Sequence, residues 1–172
     1  MSLPPADTYL GMIPDLGDLI TAAVDSFFGT MLNRQMLPVP MPPQWQEEVQ
    51  IAGSVGFVGP LSGIIYSHLS EAFARRITGD LLGMEDCQVT SGEMINDTVG
   101  EMSNMLVGHI KSRLCDRGLP CVLTLPSIVR GRGLSVAAPS TTQRHFFGFA
   151  SEGFRLFIEV HLKQDDSYRA SS

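Results

Sequence analysis

The chain has 172 residues, enough for one domain with a proper core and short for two. Hydrophobic residues make up 44% and charged residues 17%, which is a globular rather than a disordered composition. The formal net charge of −6 argues against a surface for nucleic acid or anionic membrane, because phosphate binding needs concentrated Lys and Arg. We therefore expect a single domain over residues 1–172 that binds neither.

The cysteines and the N-terminal sequence bear on the compartment. Cys87, Cys115 and Cys121 are an odd number without a C-x-x-C pair, which predicts a reducing environment and no disulfide framework. No window stays apolar for the roughly 18 residues of a membrane span. The first residues lack the basic segment and apolar block of a secretory signal. The sequence therefore predicts a cytoplasmic protein.

In the first half of the chain, residues 1–14 are expected to be loosely ordered. A first helix is predicted to begin near Asp15 or Asp18, either of which can cap its first turn. The proline-rich residues 37–43 predict an extended connector, and strands are predicted at 49–59 and 63–70. Ser70 can cap a second, shorter helix that stops at Gly83. The buried stripe of the first helix repeats at helical spacing: Ile20, Val24, Phe27 and Met31.

The second half opens with the best-marked helix. Residues 90–93, Thr-Ser-Gly-Glu, predict a capping box, and Gly118 followed by Leu119 and Pro120 predicts its end. Strands are predicted at 121–131, 141–151 and 154–163, the last two as a hairpin around residues 151–153. The polar residues 164–172 are expected to be loosely ordered.

A faint internal repeat appears when the sequence is shifted by 74. Residues 30–32 then coincide with 104–106, and the strand at 48–56 with the one at 122–130. The order of elements supports two pseudo-repeated helix-strand-strand units, with the short helix and the last strand added to different halves. The prediction is an α+β domain in which long helices pack on a largely antiparallel sheet.

The long third helix has two opposite faces at 100° per residue. By spacing alone, a solvated outer face is the simplest interpretation of its polar stripe. However, Asn104 is a mediocre helix former, and Gly108 costs about 1 kcal/mol relative to Ala. A bare glycine one turn after a carboxamide predicts close approach by a partner, which Met105 on the flank could also contact. The apolar stripe is Ile95, Val99, Met102, Leu106 and Ile110, and the polar stripe is Asp97, Glu101, Asn104, Gly108 and Lys111.

The pattern Asp97-x-x-x-Glu101-x-x-Asn104 on a long helix resembles the signature of the CheC/CheX/FliY family of chemotaxis phosphatases. Residues 96–114 are similar over their whole length to the signature helix of that family. The resemblance spans residues 18–163, and Pro126 lies near the place of a proline that follows the asparagine in the family pattern.

The first helix, at residues 20–33, also resembles the opening helix of CheX-type members. CheC-type members carry the acidic residue and the asparagine on both helices. Here the repeat places Phe27 opposite Glu101 and Thr30 opposite Asn104, so the first helix lacks the pair. This is the pattern of CheX rather than of CheC.

The resemblance implies a CheC-like fold and hydrolysis of the aspartyl phosphate on a CheY-like receiver domain. It implies no cofactor of the protein's own, since the receiver brings Mg²⁺ and a lysine near the phosphoryl group. Asn104 would hold the attacking water and Glu101 would engage that lysine, while Asp97 would support the helix or the interface. A homodimer formed partly by strand exchange is also implied, with residues 154–163 as a candidate edge.

Other interpretations stay open. The same helix face could belong to a non-enzymatic module that binds a receiver domain or a flagellar switch component, or to a structural dimerisation domain. The four histidines lack metal-ligand spacing, and neither a nucleophile elbow nor a P-loop is present. A modest basic cluster gives a weak indication of a local anion contact: Lys111, Arg113, Arg117, Arg130 and Arg132.

Overall fold

The computed structural model describes residues 13–41 and 49–164. Most of the predicted loosely ordered ends lie outside this part of the chain. Of the residues in them that are described, Ile13 is buried in the core and Gln164 is the last residue of a strand. The helices are α1 (Leu16–Leu32), α2 (Glu71–Leu82) and α3 (Gly92–Asp116), with a 3-10 helix (Asp86–Gln88) between α2 and α3.

The helix ends are encoded by their caps. The Ser70 side chain accepts a hydrogen bond of 3.1 Å from the Phe73 amide at the start of α2, and Gly83 ends this helix at φ +66°. Both predictions for this helix are confirmed. Helix α3 begins one residue later than expected, because Ser91 rather than Thr90 is its N-cap and accepts from the Met94 amide at 3.4 Å. The predicted capping box at residues 90–93 was therefore wrong.

The strands form one antiparallel sheet in the order β1-β6-β7-β3-β2, and β4 and β5 both pair with the outer side of β2. The β6–β7 hairpin turns at Glu152 and Gly153, whose φ values of +50° and +82° suit a two-residue turn between twisted strands. The strand bounds are β1 (Leu37–Val39), β2 (Val49–Val58), β3 (Leu61–Ser70), β4 (Val122–Leu123), β5 (Ser127–Arg132), β6 (Gln143–Ser151) and β7 (Phe154–Gln164).

The helices lie against one face of this sheet, so the α+β prediction is confirmed. Helix α3 approaches the sheet tightly at Gly53 of β2, where an added Cβ would collide with the side chain of Ser103. Ser103 and the predicted apolar stripe of α3 are all buried. Because one side of α3 is pressed onto β2, its opposite side points away from the sheet.

The two pseudo-repeated units are visible in the sheet order, but their strands correspond differently from the prediction. Each unit is a long helix, a short strand and a hairpin: α1, β1 and β2–β3 in the first, α3, β5 and β6–β7 in the second. The short strand of each unit pairs with the hairpin of the other, β1 with β6 and β5 with β2. Strand β5 is thus the counterpart of β1, not of β2, and β7 is the counterpart of β3 rather than an addition.

Two further strand predictions need correction. The segment 121–131 is not one strand, because residues 124–126 interrupt it between β4 and β5 and Pro126 has no amide hydrogen to donate. The segment 154–163 is not an edge strand of the monomer, since β7 lies in the interior of the sheet with β3 on one side and β6 on the other.

Helix α1 begins where expected, but its caps and its stripe differ in detail. Asp15 is the N-cap by position, yet its side chain makes no capping hydrogen bond and instead pairs with Arg117. Ile20, Val24 and Phe27 are buried as predicted. Met31 is 46% exposed, so its assignment to the core was wrong.

Candidate functional site

The outward side of α3 carries the residues predicted to act on a partner. Asp97, Glu101 and Met105 are exposed. The others on this side, Asn104, Gly108 and Lys111, are half-buried. The structure therefore brings all six predicted site residues to one continuous helical surface, which we call the α3 face.

The carboxylate and carboxamide side chains of the α3 face make no polar contact with the described part of the monomer. Among residues 13–41 and 49–164, no hydrogen bond or ion pair is made by the side chains of Asp97, Glu101 or Asn104. Asn96, on the neighbouring side of the same helix, differs because its amide oxygen accepts a 2.8 Å hydrogen bond from Arg130. The carboxamide of Asn104 is thus available to a group outside the monomer.

The connection between β4 and β5 borders the α3 face. Pro126 packs against Gly100, one helical turn before Asn104, with its Cγ 3.7 Å from where a Cβ on Gly100 would lie. The adjacent Leu125 is 87% exposed. Pro126 is therefore close to the signature residues in space, on the side of α3 where the glycine allows the loop to approach.

A groove between α1 and α3 forms the other border of the α3 face. Met31 on α1 and Met105 on α3, which are equivalent in the internal repeat, are both exposed along it. Sequence reasoning missed the contribution of α1, although the repeat that aligns these two methionines could have indicated it. The groove encloses about 310 Å³ and is lined by Ala23, Ser26, Phe27, Thr30, Met31, Met105, Gly108, His109 and Ser112.

The basic residues that suggested a local anion contact are partly committed to structural bonds. Arg117 binds Asp15 through both of its terminal nitrogens, at 2.8 and 2.6 Å. Each partner shifts the other: the pKa of Asp15 is lowered and the pKa of Arg117 is raised, in both cases first by their mutual hydrogen bonds. Arg130 donates to Asn96 and to the Gly92 carbonyl oxygen. These two arginines fasten the two ends of α3 to neighbouring elements.

No group of three or more His, Cys, Asp or Glu side chains is arranged to hold a metal ion in the described part of the chain. Within the same residues, every helix is too short or too polar to cross a lipid bilayer.

Replacing Gly108 by alanine should stabilise the protein, by about 1 kcal/mol, because the substitution improves helix propensity and the new methyl group would meet nothing within 4 Å. If the bare position serves a partner, the same change should weaken partner binding or activity. Gly29→Ala on α1 is the matched control, since a Cβ there also meets nothing. Urea unfolding should show a higher free energy of unfolding for both variants, whereas only the Gly108 variant should lose function. Unchanged function in Gly108→Ala would mean that no partner approaches this position closely.

Comparison with known proteins places this geometry in a family. The model of the family described as chemotaxis phosphatase CheX matches residues 51–150, which include the whole of α3 and Pro126. The CheY-P phosphatase CheX of Thermotoga maritima is 29% identical over 108 residues, covering 62% of this chain and 68% of the relative.

Solved structures share the fold over nearly their full length. A CheC-like superfamily protein from Shewanella sp. PV-4 has a TM-score of 0.74 at 25% identity, over 87% of this chain and 97% of that one. The protein in the CheX–CheY–BeF₃–Mg²⁺ complex from Borrelia burgdorferi has a TM-score of 0.67 at 18% identity, over 85% and 96% of the two chains.

Proposed function

Because this chain belongs to the CheX family of chemotaxis phosphatases, we propose that it hydrolyses the aspartyl phosphate of a CheY-like response regulator. The relative from T. maritima is named a CheY-P phosphatase, and the relative from B. burgdorferi was solved with CheY, BeF₃ and Mg²⁺. The observation that carries the proposal is the pair formed by the exposed Glu101 and the half-buried Asn104, whose side chains have no partner among the described residues.

Asn104 holds the attacking water in this proposal. An acyl phosphate is already activated, so the missing element is a water molecule placed in line with the phosphorus. Positioning and electrostatics dominate phosphoryl transfer, and an amide side chain can orient a nucleophilic water, as a glutamine does in GTPases. The Asn104 carboxamide can accept a hydrogen bond from that water through its oxygen and donate one through its nitrogen.

Glu101 docks the receiver through its active-site lysine. Asn104 is three positions after Glu101, which places them about 4.5 Å apart along the helix axis, so the two side chains can reach adjacent groups of one partner site. A carboxylate and an ammonium group brought together at an interface favour the correct register of the two proteins. Asp97 lies about one turn before Glu101 and supports the helix surface or the edge of the contact.

The reaction needs no metal of this protein's own. The Mg²⁺ ion belongs to the receiver, where it neutralises charge on the phosphoryl group. The residues of the α3 face contribute position, hydrogen bonds and the exclusion of bulk water when the two surfaces meet. This division fits a site whose side chains are one carboxamide and two carboxylates on a single helix.

The groove and the borders of the α3 face supply the remaining contact area. Gly108 lets the partner's backbone come close, and the methionines Met31 and Met105 are flexible apolar side chains that adapt to an irregular surface. Lys111, at the far end of the stripe, can meet an acidic group of the receiver. We further propose that the protein acts in the cytoplasm, where its partner is phosphorylated.

A homodimer is part of the same proposal. Since β7 is interior, pairing between copies would use the outer edge of β1 or the edge formed by β4 and β5. The β4 and β5 edge lies next to the α3 face, whereas the edge of β1 does not, so a dimer formed through β1 would leave both α3 faces free for receivers.

Glu101→Lys should weaken binding to a beryllofluoride-activated receiver by about tenfold or more, because it places two ammonium groups against each other. Isothermal titration calorimetry measures this directly. Asp25→Lys is the matched control, because Asp25 is exposed on α1 and the substitution changes the charge by the same amount. Equal affinities for the wild type and Glu101→Lys would show that Glu101 does not contact the receiver's lysine.

The proposal itself is tested by following phosphate release from phosphorylated receiver domains. A phosphatase releases phosphate faster than the receiver does alone. A binding module for a receiver or a flagellar switch component would show affinity without acceleration. A purely structural dimerisation domain would show neither.

A further inference from the structure

The face of the sheet that points away from the helices holds a second recess. It encloses about 520 Å³, within the range typical of small-molecule sites. Its floor is formed by outward residues of β2 and β3, including Ser54, Ser62 and Ile64. Its walls are the β4–β5 and β5–β6 connections together with the end of β7. We call this recess the outer cavity; it lies on the opposite side of the sheet from the α3 face.

One end of the outer cavity is built from buried polar groups. His161 is only 5% exposed, and its Nε2 lies 2.6 Å from Oε1 of Glu159. Arg144 donates to the same oxygen at 2.7 Å, and His68 lies 3.1 Å from the other oxygen. An ionised carboxylate can only accept, so Nε2 of His161 carries the proton. The ring is thereby fixed, and its Nδ1 has no partner among the described residues.

The charge at this end is positive. Lys163, two residues after His161 on the same side of β7, lines the cavity and makes no ion pair within the described chain. None of the described lining residues is acidic. Burial, and then the nearby Glu159 carboxylate, raise the pKa of Tyr66, so its hydroxyl stays protonated and can donate a hydrogen bond into the cavity. In a chain with net charge −6, this is a locally cationic recess.

Beside these polar groups the lining is apolar and open to water. Val58, Ile64 and Leu125 belong to it and are all exposed in the monomer, and Ile64 is paired with His161 across β3 and β7. Covering such side chains with the apolar part of a ligand would remove their surface from water, which is favourable. The cavity therefore places cationic and hydrogen-bonding groups next to exposed apolar side chains.

We propose that the outer cavity binds a small amphipathic anion, with its carboxylate or phosphate group against Lys163 and the Tyr66 hydroxyl and its apolar part against Ile64 and Leu125. Because the cavity and the α3 face lie on opposite sides of the sheet, this binding is separate from the proposed phosphatase activity and does not rest on it.

Octanoate is the probe that tests the proposal. Octanol carries only the apolar chain and inorganic phosphate carries only the anionic group, so each tests one part of the site. Amide NMR shifts of the ¹⁵N-labelled full chain locate the binding. We expect saturable shifts at Gly56, Ile64 and Lys163 with octanoate, weaker ones with octanol, and weaker ones with phosphate. Stronger binding of octyl phosphate than of octanoate would identify the anion as a phosphate rather than a carboxylate.

Lys163→Gln should weaken octanoate binding about tenfold, the usual effect of losing a hydrogen bond to a charged group. Arg155→Gln is the matched control, because Arg155 lies on the same strand and the same side but outside the cavity. It should bind octanoate like the wild type. Three results would overturn the proposal. Octanoate could cause no saturable amide shifts, Lys163→Gln and Arg155→Gln could weaken octanoate binding equally, or the amide shifts at the cavity could change with protein concentration and not with octanoate. The last would mean that a second copy covers the recess.

Discussion

Replacing Asn104 by alanine should lower the rate of receiver dephosphorylation by about 100-fold or more while leaving the fold and receiver binding nearly unchanged. In the proposed mechanism the rate falls because the water loses the group that places it in line with phosphorus. The fold persists because the Asn104 side chain is half-buried at the edge of the α3 face and makes no hydrogen bond within the described monomer. The measurement is kcat for phosphate release, with binding to the beryllofluoride-activated receiver measured in parallel.

Two variants make this test specific. Asn96→Ala removes the same amide from the same helix, but that amide binds Arg130 and points away from the proposed partner. It should reduce stability slightly and leave kcat unchanged. Asn104→Gln keeps the amide on a longer side chain and should restore part of the lost rate. A kcat for Asn104→Ala close to that of the wild type would show that the water is positioned by another residue.

The second large effect concerns Glu159, the carboxylate at the centre of the outer sheet face. Only 2% of this residue is exposed, yet it is surrounded by donors from three neighbours. Burial by itself raises its pKa, but hydrogen bonds from His68, Arg144 and His161 outweigh burial and hold the pKa at about 2. The ordinary value is 4.5, so the folded state strongly prefers the ionised form.

The sign of the pH effect follows from this depressed pKa. The stabilisation is fully present above the unfolded pKa near 4.5 and is lost as the pH falls toward about 2. Over that window the wild type should lose about 3 kcal/mol of its free energy of unfolding through this one group. Glu159→Gln has no carboxyl group to titrate at this position. Its free energy of unfolding should therefore be lower than that of the wild type at pH 7 and should fall less as the pH is lowered. Urea unfolding at several pH values measures both slopes.

Glu152→Gln is the control for this measurement. Glu152 pairs with Arg34 but its side chain is 73% exposed, so its loss should change the pH dependence little. If the wild type and Glu159→Gln lose stability in parallel between pH 5 and pH 2, the carboxylate network does not hold the outer face together.

The α3 face could be predicted from the sequence because its determinants are local. A long 3.6-residue periodicity, a serine cap and a glycine stop specify α3, and they fix which side of the helix carries Glu101 and Asn104. The start of the helix was still misplaced by one residue, since Thr90 and Ser91 are both acceptable caps. Local sequence signals predict that such a helix exists and which side of it is buried more accurately than they predict its first and last residues.

Features that depend on distant partners could not be predicted in this way. Met31 fits the apolar periodicity of α1, but the groove beside α3 leaves it exposed. The exchange of the short strands β1 and β5 between the two units is set by the geometry of the whole sheet, not by either segment. His68 and Glu159 are 91 residues apart, and Glu159 alternates with the apolar Ile158 and Val160 as a solvated residue would. Their burial appears only once β3 and β7 are paired.

The central claim is that this chain is a turnover catalyst for receiver dephosphorylation, and substoichiometric kinetics test it most directly. A phosphorylated CheY-like receiver in Mg²⁺-containing buffer would be mixed with about one-hundredth its amount of this protein, and the remaining acyl phosphate followed over time. The account predicts that the whole receiver pool loses its phosphate faster than it does alone, so that each molecule acts many times. Decay at the receiver's own rate, by a protein that nevertheless binds the phosphorylated receiver, would contradict it.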